Sequence, residues 1–260
     1  MLRYSSFTAQ GWRGEVLAGW EDMFIELDEW LASSVGERVV NLPSRQVWRA
    51  ETSKGAVFVK VIYRASEVNS LVRKTFSSLK WLLRPSRALA TLKVSRAMLL
   101  AGFDCPVPVL AVRRRSAAGW PVDVFVSAEC RYLNLYEQML DLNREHKEAL
   151  LSQVASELNR FHCAGFVHGD CITPNLALNG QGRLVLFDND RTVRAPMLRR
   201  RYAQRRNLIQ FGYRLTRQQG SSCYFELFLN SYVAAGKGAA DREHIPRILR
   251  AVNKRLRNAR

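Results

Sequence analysis

The chain lacks what a disulfide-stapled or zinc-held protein needs. Its five cysteines, Cys105, Cys130, Cys163, Cys171 and Cys223, are odd in number, and no CxxC pair occurs. That argues against a disulfide framework and against a zinc site of the usual spacing. Reduced thiols in a cytoplasmic setting are expected instead. No apolar run approaches the roughly 20 residues of a spanning helix. The N-terminal MLRYSSFTAQGWRGE has no apolar core of signal-peptide length. Internal repeats and low-complexity segments are absent. Negative charge is scarce: 23 Asp and Glu stand against 40 Lys and Arg, a net charge of +17. Such an imbalance concerns partners rather than fold. A phosphorylated substrate or an anionic membrane face suits it. Nucleic acid suits it less, because aromatics do not interleave with the basic residues as stacking platforms and no groove-binding motif is present. The expected location is the cytoplasm, with the inner face of the cytoplasmic membrane as a place of peripheral attachment.

What is present is enough for two lobes. A chain of 260 residues with 47% apolar content can bury a real core. Residues 20–34 read as a short acidic amphipathic helix. Residues 38–42, 46–50 and 56–62 are rich in β-branched and aromatic side chains. Pro43-Ser44-Arg45 and Ser53-Lys54-Gly55 punctuate them, which predicts an antiparallel meander. A helix over 86–101 stops at Gly102 with Pro106 and Pro108 beyond. Residues 109–114 and 122–128 read as a strand pair. Residues 144–163 form a long helix, with Leu150, Leu151, Val154, Leu158 and Phe161 at helical spacing. Residues 199–234 and 241–258 are largely helical. The expected class is α+β, a strand-rich lobe over residues 1–130 and a helix-rich lobe over 131–260.

Between the long helix and the C-terminal helices lies FVHGDCITPNLAL, residues 166–178, and then LVLFDNDRT, residues 184–192. Phosphoryl transfer from a nucleotide would explain both. Its transition state is loose, so the protein chiefly positions groups and neutralises charge. Asp170 can accept a hydroxyl proton. Asn175, five residues on, can bring an amide oxygen to Mg²⁺, and Asp188 can reach the metal from the end of its strand. Asp190 is a second metal ligand or a partner for Arg191. Lys60 is an ammonium inside the apolar strand Phe58-Val-Lys-Val-Ile62, suited to nucleotide phosphates.

His168-Gly-Asp170 with Asn175 resembles the catalytic loop of the protein-kinase-like superfamily, and Phe187-Asp188-Asn189 resembles its metal-binding Asp segment. Ser86-Arg87-Ala88, Leu99-Leu-Ala-Gly-Phe-Asp-Cys-Pro-Val-Pro108 and Asp188-Asn-Asp190-Arg191 are more narrowly similar to the bacterial lipopolysaccharide kinase family, over about residues 38–215. The resemblance implies a bilobal protein-kinase-like fold, ATP and Mg²⁺ as cofactors, and phosphorylation of Kdo or heptose in the inner core. It implies that Asp170 is the catalytic carboxylate and that Asn175 and Asp188 hold metal, with Asp190 either a second ligand or a partner for Arg191 or a cap. Lys60 would contact phosphates, and His168 would brace the metal-binding Asp through a hydrogen bond. Glu129 stands where such folds have the hinge that meets adenine through backbone. The sequence departs from the superfamily in several places. Gly169 replaces the Arg of protein kinases. No Gly-x-Gly-x-x-Gly precedes Lys60, so the Pro43-Ser44-Arg45 turn would cover the phosphates, with Ser44 and Arg45 as contacts. Thr91 stands about where an acidic partner for Lys60 is expected, and Glu67 is the nearest acid after it.

Three functions other than an inner-core kinase remain open at this point: a kinase of a soluble small molecule such as an amino sugar, a catalytically impaired scaffold, and a nucleic-acid binder. The basic run Arg191, Arg194, Arg199, Arg200, Arg201, Arg205 and Arg206 follows the metal-binding segment directly. Arg suits phosphate and carboxylate through its planar fork, so these residues are candidates for contacts to an anionic substrate. The C-terminal segment, with Ile248, Leu249, Val252 and Leu256 on one face and Arg or Lys on the other, fits an interfacial helix. It fits a helix packed on its own lobe equally well.

Overall fold

The computed structural model describes residues 2–36, 38–63, 84–236 and 240–259. The chain divides into two compact units, Met1–Arg96 with Pro106–Cys130, and Ala97–Cys105 with Arg131–Arg260. The fold is α+β, of the bilobal protein-kinase-like kind.

The first unit is built on one seven-stranded antiparallel sheet. In chain order its strands are β1 (Tyr4–Ala9), β2 (Trp12–Leu17), β3 (Arg38–Leu42), β4 (Arg45–Ala50), β5 (Val57–Ile62), β6 (Pro108–Arg115) and β7 (Pro121–Ala128), arranged in space as β1-β2-β6-β7-β5-β4-β3. The β-branched runs pair as expected. The first hairpin is an addition to the sequence reading. Gln10 and Gly11 both take positive φ (51° and 78°), the geometry of a tight two-residue turn whose twist matches its strands. The expected helix over 20–34 is divided into a 3₁₀ turn, Glu21–Phe24, and α1 (Leu27–Ser33). The break at Glu26 (φ −103°, ψ 60°) lets Phe24 and Leu27 both turn into the core.

Period-two alternation gives this sheet two faces. Val57 and Val59 of β5 and Val124 and Val126 of β7 join Trp12, Trp48, Phe24 and Leu27 in one core. Phe125 of β7 and Ala111 of β6 point the other way, to Ala88 and Leu92 of α2 (Arg87–Leu100). Lys60 lies directly opposite Phe125 in the register and so shares this second face. One buried carboxylate fixes where α2 begins. Asp123 accepts from Ser86 Oγ (2.7 Å) and from the Arg87 N–H (3.0 Å), while Arg113 grips it with two nitrogens at 2.8 and 3.0 Å. The guanidinium fork satisfies both carboxylate oxygens at once, which is what a buried charge requires.

The second unit is mainly helical: α3 (Leu135–Gln138), α4 (Arg144–Cys163), α5 (Met197–Gln219), α6 (Cys223–Ala234) and α7 (Ile245–Asn258). Two small pairings complete it. β8 (Phe166–Val167) pairs with β11 (Val193–Arg194), and β9 (Leu176–Leu178) pairs with β10 (Leu184–Leu186) across the Asn179–Arg183 turn. Phe161 and Phe166 stack, and Phe103 meets both edge-on. Gly212 lets α5 approach α6: a Cβ there would lie 2.2 Å from the Phe225 ring. Helix α7 buries Ile248 and Val252 and packs on α5, so its apolar stripe belongs to its own unit. Arg247, Arg250, Lys254 and Arg257 form its exposed side.

Candidate active site

The loop after β8 is organised around Asp170, which is half-buried. Asn175 sits in a 3₁₀ turn, Thr173–Asn175, started by Pro174. Its Nδ2 donates to the Asp170 carbonyl (2.9 Å) and lies 3.4 Å from Asp170 Oδ2. An amide whose nitrogen faces two oxygens must turn its own oxygen elsewhere, so Asn175 Oδ1 is presented as an acceptor. The Asn175 carbonyl takes the Phe187 N–H (2.9 Å). The loop and the strand that ends on Asp188 are thereby tied together at backbone level.

His168 makes the second tie. Its Nδ1 accepts the Asp170 N–H (3.2 Å), so Nε2 carries the proton and donates to the Phe187 carbonyl (2.8 Å). Burial pushes its pKa down, which keeps the ring neutral, as one donor and one acceptor require. The brace expected from His168 therefore exists, but it grips the backbone of the residue before Asp188.

Helix α5 holds the loop from behind. Asn207 accepts the His168 N–H (2.9 Å) and donates to the His168 carbonyl. His162 stands on the other side of Asn207 at 3.3 Å and meets Tyr232 Oη at 2.8 Å; burial depresses its pKa to about 4. One turn on from Asn207, Gln210 Nε2 donates to Asp170 Oδ1 (2.5 Å), and Gln218 accepts from Thr173 Oγ1. Gln204, Asn207, Gln210 and Gln218 were not among the expected site residues. Their signal is visible in hindsight: Gln204 and Asn207 fall on the buried stripe of α5 among Leu208, Phe211 and Leu215, and buried amides on an apolar stripe need partners.

Asp188 is exposed and left-handed (φ 49°, ψ 57°). Asp and Asn are the non-glycine residues that most readily take that conformation. Asn189 is buried and bonds the Leu186 carbonyl (3.1 Å) and Thr192 Oγ1 (3.2 Å), a turn role. Asp190, in the 3₁₀ turn Asn189–Arg191, is half-buried. Among the described residues no three His, Cys, Asp or Glu side chains gather to hold a metal. The donor set nonetheless fits Mg²⁺: its oxygens are hard and few, as suits an ion whose remaining ligands are phosphates and water. Cys171, beside Asp170, is fully buried, and burial drives its thiol pKa up. It is a packing residue.

The remaining candidates lie in the first unit. Ser44 is in the two-residue turn between β3 and β4, its carbonyl accepting the Tyr63 N–H (3.1 Å), and Arg45 opens β4 opposite Leu42. Lys60 is half-buried at mid-strand. Thr91 is buried, and its hydroxyl donates to the Arg87 carbonyl (2.8 Å). Helix α2 has no acidic residue, and Glu67 lies outside the described residues. Glu129 uses its carboxylate on Arg49 (2.6 and 3.3 Å) and its N–H on the Ala56 carbonyl (2.9 Å). That bond to Glu129 raises the Arg49 pKa.

A family model for the lipopolysaccharide kinase (Kdo/WaaP) family matches residues 27–232, which is most of the chain and contains every candidate above. The chain belongs to that family. Comparison with curated proteins gave no match. Members of the family are kinases, and the chain is a phosphotransferase with a hydroxyl acceptor that acts on lipopolysaccharide core sugars. Gly169, between His168 and Asp170, has a local cause. A Cβ on Gly169 would lie 2.0 Å from Arg191 Cβ and 2.4 Å from the Arg191 carbonyl oxygen. The 188–191 segment thus runs against the 168–170 loop at the position where the protein-kinase sequence pattern has Arg. Gly169→Ala is expected to push the two segments apart, costing about 1–3 kcal/mol of stability and at least tenfold in turnover. A variant that melts and turns over like the parent would refute this contact.

Proposed function

We propose that the protein is an ATP-dependent kinase that phosphorylates a hydroxyl of Kdo or heptose in the lipopolysaccharide inner core, working against an anionic membrane surface. The observation that carries the reading is the locking of Asp170, Asn175 and the Phe187–Asp188 strand end by reciprocal hydrogen bonds. Asp170, held on both carboxylate oxygens by the amides of Gln210 and Asn175, takes the proton of the sugar hydroxyl as that oxygen attacks the γ-phosphorus of ATP. The bond from γ-phosphorus to the bridging oxygen breaks, and ADP leaves. Asn175 Oδ1 and Asp188, with Asp190 as a further carboxylate, would hold Mg²⁺. When bound, the ion neutralises charge on the nucleotide phosphates. Lys60 would meet the same phosphates from its strand, with Ser44 and Arg45 at the covering turn. Contact to adenine would fall to the backbone near Glu129, since its carboxylate is engaged by Arg49. Cys171 and His168 have no chemical step.

The deciding experiment is phosphate transfer from labelled ATP to a panel of inner-core glycolipids. Label on a Kdo or heptose hydroxyl supports the reading. Hydrolysis of ATP with no transfer to any core sugar, or transfer only to soluble amino sugars, overturns it. The basic run adds a second expectation. Arg199 and Arg201 are exposed, whereas Arg200 bonds the Ala195 carbonyl and lies against Gly165. Each cation near an anionic surface contributes about 1 kcal/mol, so Arg199→Glu with Arg201→Glu should weaken surface binding by at least about 2 kcal/mol, roughly 30-fold. Activity on glycolipid should fall accordingly, with ATP hydrolysis in the absence of lipid unchanged. Equal loss of both activities would assign these arginines to the fold or to the nucleotide.

A further inference from the structure

The first turns of α5 carry exposed apolar side chains among their arginines. The helix buries Gln204, Asn207, Leu208, Phe211 and Leu215, and Leu198, Tyr202 and Arg206, four residues apart, lie roughly on the opposite side of the cylinder. Leu198 is 100% exposed, Met197 82% and Tyr202 69%; Val193, just upstream in β11, is 50% exposed. Single exposed apolar residues need no explanation, but a contiguous group rimmed by polar residues marks an interaction site. Here the rim is cationic: Arg194, Arg199, Arg201 and Arg206 are all exposed.

The charge selects the occupant. A second copy of this chain in a two-fold interface would set each patch against itself, arginine against arginine, in a molecule already at +17. A lipid surface with anionic headgroups meets both components: side chains of Leu and Tyr type enter the headgroup boundary while Arg reaches the phosphates. Another exposed apolar group, Tyr132, Leu133, Tyr136 and Leu140, has Glu137 and Asp141 beside it as well as Arg131, so its surround is of mixed charge.

We propose that Leu198 and Tyr202 insert into the headgroup region of an anionic lipid surface, with Arg194, Arg199, Arg201 and Arg206 on the lipid phosphates around them. The inference rests on the reading of the protein as a kinase of a lipid-borne sugar and adds to it an apolar anchor with named side chains. The anchor is joined to the chemistry by backbone. β11 pairs with β8, which runs straight into His168 and Asp170, and the Ala195 N–H donates to the Gly165 carbonyl (2.9 Å). Lodging the patch in the surface holds the catalytic loop beside it, where a sugar carried on a membrane lipid is presented.

Insertion and attraction respond differently to salt. At about 1 M salt the Debye length is about 3 Å and attraction to headgroups is largely screened, while burial of apolar side chains persists. The full-length protein is to be sedimented with vesicles of phosphatidylcholine alone and with added phosphatidylglycerol, at low and high salt, without nucleotide or acceptor. The parent should bind only the anionic vesicles at low salt, and a fraction should stay bound when salt is raised. Leu198→Ser with Tyr202→Ser should remove the salt-resistant fraction and lower partitioning by about 10- to 100-fold. Its melting temperature and lipid-free ATP hydrolysis should match the parent, because both side chains are exposed. Equal partitioning of parent and variant, or full reversal of parent binding by salt, overturns the anchor. So does a parent dimer in solution that the double substitution dissolves, since a second copy would then be the occupant. A failure of sugar phosphorylation with vesicle insertion intact would instead strike the proposed substrate, so the two failures are distinguishable.

Discussion

Replacing Asp170 by Ala is expected to cut transfer to the sugar by about 10²- to 10⁴-fold, the range for loss of a positioned general base, with nucleotide affinity nearly unchanged. The hydrogen bonding around the carboxylate explains why the loss should be confined to the chemical step. Asp170 contributes its side chain to Gln210 and Asn175, but the loop itself is fixed by backbone groups: Asn207 on the His168 N–H and carbonyl, Asn175 Nδ2 on the Asp170 carbonyl, and the Asn175 carbonyl on the Phe187 N–H. Truncating the carboxylate leaves all of these in place. Asn175 and Asp188, the proposed metal ligands, keep their positions, so binding of nucleotide with Mg²⁺ persists. The measurement is kcat and KM for both substrates, together with nucleotide affinity by calorimetry. Turnover within a few fold of the parent would remove Asp170 from the reaction. Loss of nucleotide affinity equal to the loss of turnover would make it a binding residue.

The sequence was legible where chemistry or periodicity is local. The β-branched runs mark the strands, the 3.6-residue pattern marks the long helix, and the loop motif sits on contiguous residues. What escaped is non-local. The anchoring of α2 by Asp123 joins residues more than 30 apart, from Ser86 to Asp123, and nothing near Asp123 in the chain marks it as a cap. The amides of α5 lie about 40 residues beyond the loop they hold, as with Asn207 and His168, and amide side chains on a helix read as ordinary surface until burial is known. The first hairpin was missed because its turn places Gln10 at positive φ, where Asn or Asp next to Gly would have been the recognisable signal. Residues 20–34 carry a helical pattern throughout, yet core packing of Phe24 and Leu27 divides them, a case of tertiary demand overriding local preference. The Gly between His168 and Asp170 was visible as a departure, but its cause, the backbone of Arg191, was not.

Replacing Asp188 by Asn is expected to abolish the Mg²⁺-dependent part of nucleotide binding and to lower transfer by at least about 10²-fold, since a bound metal supplies several kcal/mol of charge stabilisation to the transferring phosphoryl. The substitution is unusually clean here. Asp188 is left-handed, at φ 49°, and Asn tolerates that region about as well as Asp, so the backbone is retained. The side chain is exposed, and Asn keeps its size and one of its two oxygens. The His168 bond to the Phe187 carbonyl and the Asn189 bonds that shape the turn do not involve the Asp188 side chain. What is lost is one negative charge and one hard oxygen, which are what Mg²⁺ requires. Nucleotide is to be titrated into parent and variant with Mg²⁺ and with a chelator. In the parent, Mg²⁺ should tighten binding; in the variant, the two titrations should coincide. If the variant retains part of the Mg²⁺ effect, Asp190 is the remaining carboxylate, and adding Asp190→Asn should eliminate it. The same Mg²⁺-dependent affinity in the parent and in the double variant would mean that the ion is held elsewhere, and Asn175, Asp188 and Asp190 would lose their assignment together.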